Sequence, residues 1–158
     1  MMNPQETADF YIDIQVIFKA YKYFVKKLPK EAMGFLIGSL YRYEGKIWVE
    51  ISDFVPLKAE ASETRVVPLE GSLIKVGKLL QKKKALIVGW AHSHPGFGCF
   101  LSDIDLTTQR KYFSLSHQVA LVMDPYTGEY DLFVLKDLSY QRPHFKEIIK
   151  KEHEYAKI

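Results

Sequence analysis

The stretch that most constrains this chain is Gly89-Trp90-Ala91-His92-Ser93-His94-Pro95-Gly96-Phe97-Gly98-Cys99-Phe100-Leu101-Ser102-Asp103-Ile104-Asp105. An apolar run, Ala85 to Val88, leads into it and reads as a buried strand. His92 and His94 follow at i and i+2. Alternate side chains of a strand share a face, so both imidazoles point the same way, about 6.5–7 Å apart along the chain. Across that distance two rings can lean onto one metal ion. Pro95, Gly96 and Gly98 end the strand in a tight loop. Ser102-Asp103-Ile104-Asp105 then opens a helix, and Asp105 can return a carboxylate to the same point. Two imidazoles and one carboxylate leave a tetrahedral zinc one position short, and a catalytic zinc keeps that position for water. Cobalt or iron also accept such donors, so the choice of zinc rests on ligand type.

Simpler readings stand beside this one. A single buried histidine is commonly a hydrogen-bonded core residue. Ser102 and Asp105 also match a Ser-x-x-acid capping box at a helix start, which explains both without a metal. The two readings are compatible, because a helix N-terminus favours negative charge. Asp103 is adjacent but does not match the ligand position. Cys99 sits near two histidines, as a nucleophilic thiol would, but with the histidines directed to a metal it reads as a small apolar packing residue.

The spacing His-x-His, seven residues, Ser-x-x-Asp, met by His92, His94, Ser102 and Asp105, resembles the JAMM motif of the MPN+ zinc metalloproteases. The surrounding residues from Gly89 to Ser102 are similar to those of the deubiquitinase of the proteasome lid and the deneddylase of the signalosome. The family also requires an upstream glutamate, and Glu31, ahead of Met33-Gly34-Phe35-Leu36-Ile37-Gly38, stands where it is expected. Composition alone reads Glu31 as a solvated surface carboxylate. The resemblance runs from about Ile14 to about Leu135 and is weak outside these two segments.

Elsewhere the chain reads as one domain spanning residues 1–158, long enough to bury about two-thirds of its unfolded surface. Its hydrophobic share of 47% suits a packed globule. With 22 basic and 19 acidic residues the charge is too balanced for a nucleic-acid partner. One cysteine excludes an internal disulfide and fits a reducing, cytoplasmic setting. Neither a secretion signal nor a membrane span is visible. Residues 1–10 read as a frayed tail, with a short strand at Tyr11–Ile14. Gln15–Lys27 reads as a helix with an apolar face of Val16, Phe18, Ala20, Phe24 and Val25. Met33–Tyr41 and Lys46–Leu57 form a hairpin turned at Tyr43–Lys46, with Gly34 and Gly38 marking close backbone approach. Lys58–Thr64 reads as an exposed loop. A second helix spans Leu73–Lys84, with Leu73, Val76, Leu79 and Leu80 inward. The helix opened by Ser102 reaches about Phe113. Strands follow at His117–Met123 and Glu129–Leu135, joined by the turn Asp124–Gly128. Pro143–Ile158 reads as an amphipathic helix with Phe145, Ile148, Ile149 and Tyr155 inward. The order suggests an α/β fold, a mixed sheet flanked by helices.

The resemblance implies an MPN domain, related in architecture to cytidine deaminases. It implies a zinc-dependent isopeptidase that cleaves ubiquitin or a ubiquitin-like modifier from lysine. It assigns zinc to His92, His94 and Asp105, the proton-transfer role to Glu31, and an oxyanion contact to Ser102. A family insertion gripping the modifier tail would fall near Arg65-Val66-Val67, which as a sequence is equally an ordinary edge strand. The proteasome, a second MPN subunit or a homodimer are the partners implied; nucleic acid and membrane are not. The alternatives are an MPN scaffold subunit of a proteasome-associated assembly, either non-catalytic, with the ligands lost, or gated, and a zinc nucleobase deaminase. The deaminase needs a Pro-Cys-x-x-Cys pair that a single cysteine cannot supply.

Overall fold

The structure, a computed structural model, describes residues 8–61, 66–68, 70–83 and 85–150. Its elements are β1 (Phe10–Asp13), α1 (Ile14–Lys27), β2 (Met33–Tyr43), β3 (Lys46–Leu57), β4 (Ala59–Ala61), β5 (Val66–Pro68), α2 (Glu70–Lys83), β6 (Leu86–Ser93), α3 (Asp103–Tyr112), β7 (Val119–Met123), β8 (Tyr130–Lys136), β9 (Ser139–Gln141) and β10 (Phe145–Ile148). Eight strands form one sheet in the order β10-β1-β3-β2-β6-β7-β8-β9, and β4 pairs with β5 in a small second sheet. The large sheet is mixed: β1 runs parallel to β10 and β3, β6 runs parallel to β7, and the other neighbours are antiparallel.

Two apolar clusters bury its faces. One packs Val16, Ala20 and Phe24 of α1 onto Leu36, Ile51, Phe54, Val88, Ala91 and Leu121. The other packs Met33, Phe35, Trp90 and Val122 with Val76 of α2 and with Leu101 and Phe113 flanking α3. α1 starts where the Asp13 side chain accepts from the Gln15 amide at 3.0 Å. Its buried residues recur every four positions. Phe18 and Val25, expected inward, are 54% and 38% exposed. Phe18 stands two residues from both Val16 and Ala20, about 200° round the helix, so it faces away from the sheet.

The long β2–β3 hairpin turns through Glu44 (φ 49°) and Gly45 (φ 79°), the left-handed pair that a two-residue loop prefers. Gly34 and Gly38 do mark close approaches. A Cβ would stand 2.5 Å from the Val55 carbonyl oxygen at Gly34 and 1.9 Å from that of Glu50 at Gly38.

β6 carries a bulge. The register against β2 passes from Ile37↔Ile87 to Leu36↔Gly89 and skips Val88. One extra residue shifts the alternation. Val88 therefore faces the α1 cluster while Trp90 faces the other, and His92 shares the Trp90 face. Gly89 is needed at the bulge: its φ is 152°, and a Cβ would stand 1.9 Å from the Val119 carbonyl oxygen.

Several expectations are corrected. Within the segment read as a C-terminal helix, Phe145–Ile148 is a strand parallel to β1, and Tyr155 lies outside the described residues. Four residues fit either period, and the unpaired edge of β1 decides for strand. Phe10 belongs to β1 rather than to a frayed tail, and the Asp9 amide donates to the His144 carbonyl at 2.9 Å. Part of the expected loop at 58–64 is β4, paired with β5. α2 begins at Glu70, three residues early, with Val76 buried. The Leu73 and Leu79 side chains lie outside the described set. β7 begins at Val119 rather than His117.

Candidate metal centre

Strand pairing decides which distant residues meet. β2 runs antiparallel to β6 with Met33 opposite His92, so the start of β2 lies beside the end of β6. Glu31, two residues ahead of β2, is carried to the histidines. Ser93 reinforces the junction: its Oγ accepts from the Ala32 amide at 2.9 Å, and its own amide donates to the Ala32 carbonyl at 3.0 Å. His94 lies one residue beyond β6, where its amide donates to the Met123 carbonyl at 2.9 Å. The histidine pair is held from both neighbouring strands.

α3 brings the carboxylate. Ser102 caps the helix, its Oγ accepting from the Asp105 amide at 3.1 Å. Asp105 Oδ2 accepts from the Ser102 amide at 2.9 Å. The same Oδ2 lies 2.9 Å from His94 Nε2 and 3.1 Å from His92 Nε2, and the two nitrogens are 3.1 Å apart. The capping box and the returning carboxylate are one arrangement. The cap aims the carboxylate at the histidines.

This triangle suits a cation better than hydrogen bonds. Each neutral imidazole offers one proton, and sending both to Oδ2 sets two N–H groups against each other. Three lone pairs on a cation carry no such conflict. Bonds of about 2.0–2.1 Å in a tetrahedron put donor atoms about 3.3 Å apart, close to the spacing here. Both Nδ1 atoms are buried with no hydrogen-bond partner among the described residues, and a metal on Nε2 would put each ring's proton there. His92 is fully buried, and burial lowers its pKa against the pull of Asp105. That favours the neutral ring a metal requires. Burial works to raise the Asp105 carboxyl. Facing the two imidazoles and accepting from the Ser102 amide, it instead stays well below the usual carboxylate range.

Glu31 is buried, with Oε1 3.9 Å from His94 Nε2. Burial pushes its carboxyl up to about 7, with His94 opposing and Asp105 adding. Glu31, His94, Phe97, Phe100 and Ser102 line a cleft of about 190 Å³. The Asp105 amide occupies a lone pair of Ser102 Oγ, which leaves the hydroxyl proton available to a partner. Val66 lies in β5, in the small sheet, with Val67, and Arg65 falls outside the described residues.

Supporting residues escaped the sequence reading. Trp90 stacks on His92 with ring centroids 4.2 Å apart, and its Nε1–H donates to Gln109 Oε1. Gln109 in turn donates to the Phe113 carbonyl at 3.2 Å. Asp124 Oδ1 accepts from the Gly96 and Tyr126 amides, both at 3.0 Å, and Oδ2 from the Gly98 amide at 3.4 Å. The Asp124-Pro125 turn is visible in sequence, but its hold on a loop 28 residues away is not.

The family model for JAB1/Mov34/MPN/PAD-1 ubiquitin protease matches residues 5–118. The 26S proteasome regulatory subunit RPN11 of Eremothecium gossypii is 32% identical over 119 residues, 73% of this chain and 37% of that protein. The COP9 signalosome complex subunit 5 of Debaryomyces hansenii is 37% identical over 105 residues, 63% of this chain and 22% of that protein. The chain thus spans well under half the length of these relatives. The solution structure of protein DSY2949 from Desulfitobacterium hafniense shares the fold at a TM-score of 0.73 and 19% identity, covering 92% of this chain and 97% of that one. By a family match over more than two-thirds of its length, on a fold that carries the expected mixed sheet and helices, this chain belongs to the JAB1/Mov34/MPN/PAD-1 ubiquitin protease family.

Proposed function

We propose that this chain is a zinc-dependent isopeptidase that hydrolyses the bond between the Gly-Gly terminus of ubiquitin or a ubiquitin-like modifier and a lysine amine. One observation carries the reading. His92 Nε2, His94 Nε2 and Asp105 Oδ2 lie within 3.1 Å of one another, with the Glu31 carboxylate 3.9 Å from His94. His92, His94 and Asp105 would hold zinc, which when bound would supply Lewis acidity and a water whose pKa is lowered to about 7. Glu31 takes the proton, its buried carboxyl being suited to exchange near neutral pH. It then delivers the proton to the lysine amine, which leaves poorly without it. Ser102 directs its hydroxyl proton at the carbonyl oxygen, where negative charge develops.

The family description and the proteasome and signalosome relatives support this substrate class. They also support a partner assembly of a proteasome-like kind; a second MPN subunit or a second copy of this chain, in a cytoplasmic setting, completes the proposal. Among the described residues no helix is long and apolar enough to cross a membrane. Against a non-catalytic scaffold, every position the chemistry requires keeps its residue. The test is cleavage of an isopeptide-linked ubiquitin dimer by the zinc-loaded chain beside Glu31→Gln. Cleavage by the parent is expected, with at least a 100-fold fall in the variant at unchanged zinc content. A zinc-loaded parent that cleaves neither this dimer nor other modifier conjugates would leave the scaffold reading.

A further inference from the structure

The cleft has an aromatic side that the chemistry above leaves unused. Phe97 and Phe100 line it beside Glu31, His94 and Ser102, and they are 57% and 40% exposed. Phe100 lies against His94, ring centroids 4.8 Å apart, so it begins where the candidate metal centre ends. The Phe97 ring is not exposed because its backbone is loose. The amides of Gly96 and Gly98, on either side of Phe97, both donate to the buried Asp124 carboxylate. The Phe97 amide donates to the His94 carbonyl at 3.1 Å. An apolar ring held in water on a pinned loop beside a reactive centre is arranged for a ligand.

The chemistry of the bond narrows what that ligand is. On the acyl side of a Gly-Gly isopeptide there is no side chain to bury. On the amine side there is the unbranched methylene stem of lysine, the one apolar group next to the scissile nitrogen. We infer that Phe97 and Phe100 form the subsite for the aliphatic stem of the leaving lysine. The inference rests on the isopeptidase reading and adds the leaving-group side to it. A flat aromatic wall contacts an unbranched chain along its length.

Binding, without turnover, tests this. Two series of hydroxamates would be titrated into the zinc-loaded protein by calorimetry, with zinc content measured in each sample. In the first, N-alkyl acetohydroxamates, the alkyl group lengthens on nitrogen from methyl to butyl. In the second, N-methyl hydroxamates, the acyl chain lengthens by the same steps. Affinity is expected to rise along the N-alkyl series by two- to fourfold per methylene, up to the value for full burial of a CH₂. The rise should flatten in Phe97→Ala/Phe100→Ala at unchanged zinc content, and the acyl series should climb less steeply in the parent. A flat N-alkyl series in the parent, an undiminished slope in the double variant, or a steeper acyl series would each overturn the assignment. Failure of the N-methyl compound itself to bind protein carrying one zinc per chain would mean that no open metal position faces the cleft, and would overturn the isopeptidase reading and this inference with it. That outcome differs visibly from a flat series that binds.

Discussion

His92, His94 and Asp105 are 0%, 3% and 7% exposed, whereas Phe97 and Phe100, between them in the chain, are 57% and 40% exposed. The ordinary distribution is inverted here, with titratable groups inside and large apolar rings in solvent. Each half has its own physical explanation. The polar groups tolerate burial because they face one another at 2.9–3.1 Å and because the Ser102 cap holds the carboxylate. Phe97 stays outside because Asp124 pins the amides on either side of it, and Phe100 packs one side on His94. Stability elsewhere comes from the two apolar clusters on the sheet faces. The cleft uses that rigidity and adds little to it.

The hardest blow to the polar half is His94→Ala. It removes one corner of the triangle, and zinc content is expected to fall well below one per chain with cleavage lost by more than about 1,000-fold. Full zinc occupancy in that variant, measured by atomic absorption, would mean that the triangle is not the ligand set. Ser102→Ala is a smaller change that separates two roles held by one hydroxyl. Turnover is expected to fall about 100- to 1,000-fold with zinc retained, and the fold to lose about 1 kcal/mol as the cap goes. Zinc loss in place of a turnover defect would reduce Ser102 to a cap.

The smallest effect is on stability and needs no activity. In the metal-free chain the Glu31 carboxyl is pushed up to about 7 from an ordinary value of 4.5, chiefly by burial. Its folded pKa is above its unfolded one, so its contribution is fully present below about pH 4.5 and is lost as pH rises through about 7. Metal-free Glu31→Gln should therefore be more stable than the metal-free parent at pH 8, by on the order of 2–3 kcal/mol, with the gap closing at pH 5. Equal urea midpoints at pH 8 would show that Glu31 carries no burial penalty.

Much of the site was legible because it is local. His92, His94, Ser102 and Asp105 lie within 14 residues, and strand, loop and helix periods in that stretch are read without knowing what packs on them. The β2–β3 hairpin and the close approaches at Gly34 and Gly38 were legible for the same reason. Glu31 was visible only through the resemblance. Nothing in its neighbours announces burial, which comes from β2 pairing with a strand more than 50 residues later. Phe145–Ile148 misled because a four-residue run matches both periods until an edge strand claims it.

Local spacing dictated that two imidazoles and a capping carboxylate could converge, since backbone periodicity acts within a few residues. Only tertiary pairing decided that they face the side of the sheet bearing α3. The bulge at Val88 and Gly89 changes the parity of every later residue in β6, and it exists because β2 and β7 set the register there. Tertiary structure likewise brought Glu31 into the cleft and left Phe97 exposed on its wall. Both outcomes depend on hydrogen bonds to residues far along the chain, Ala32 to Ser93 and Gly96 to Asp124, which no short window of sequence contains.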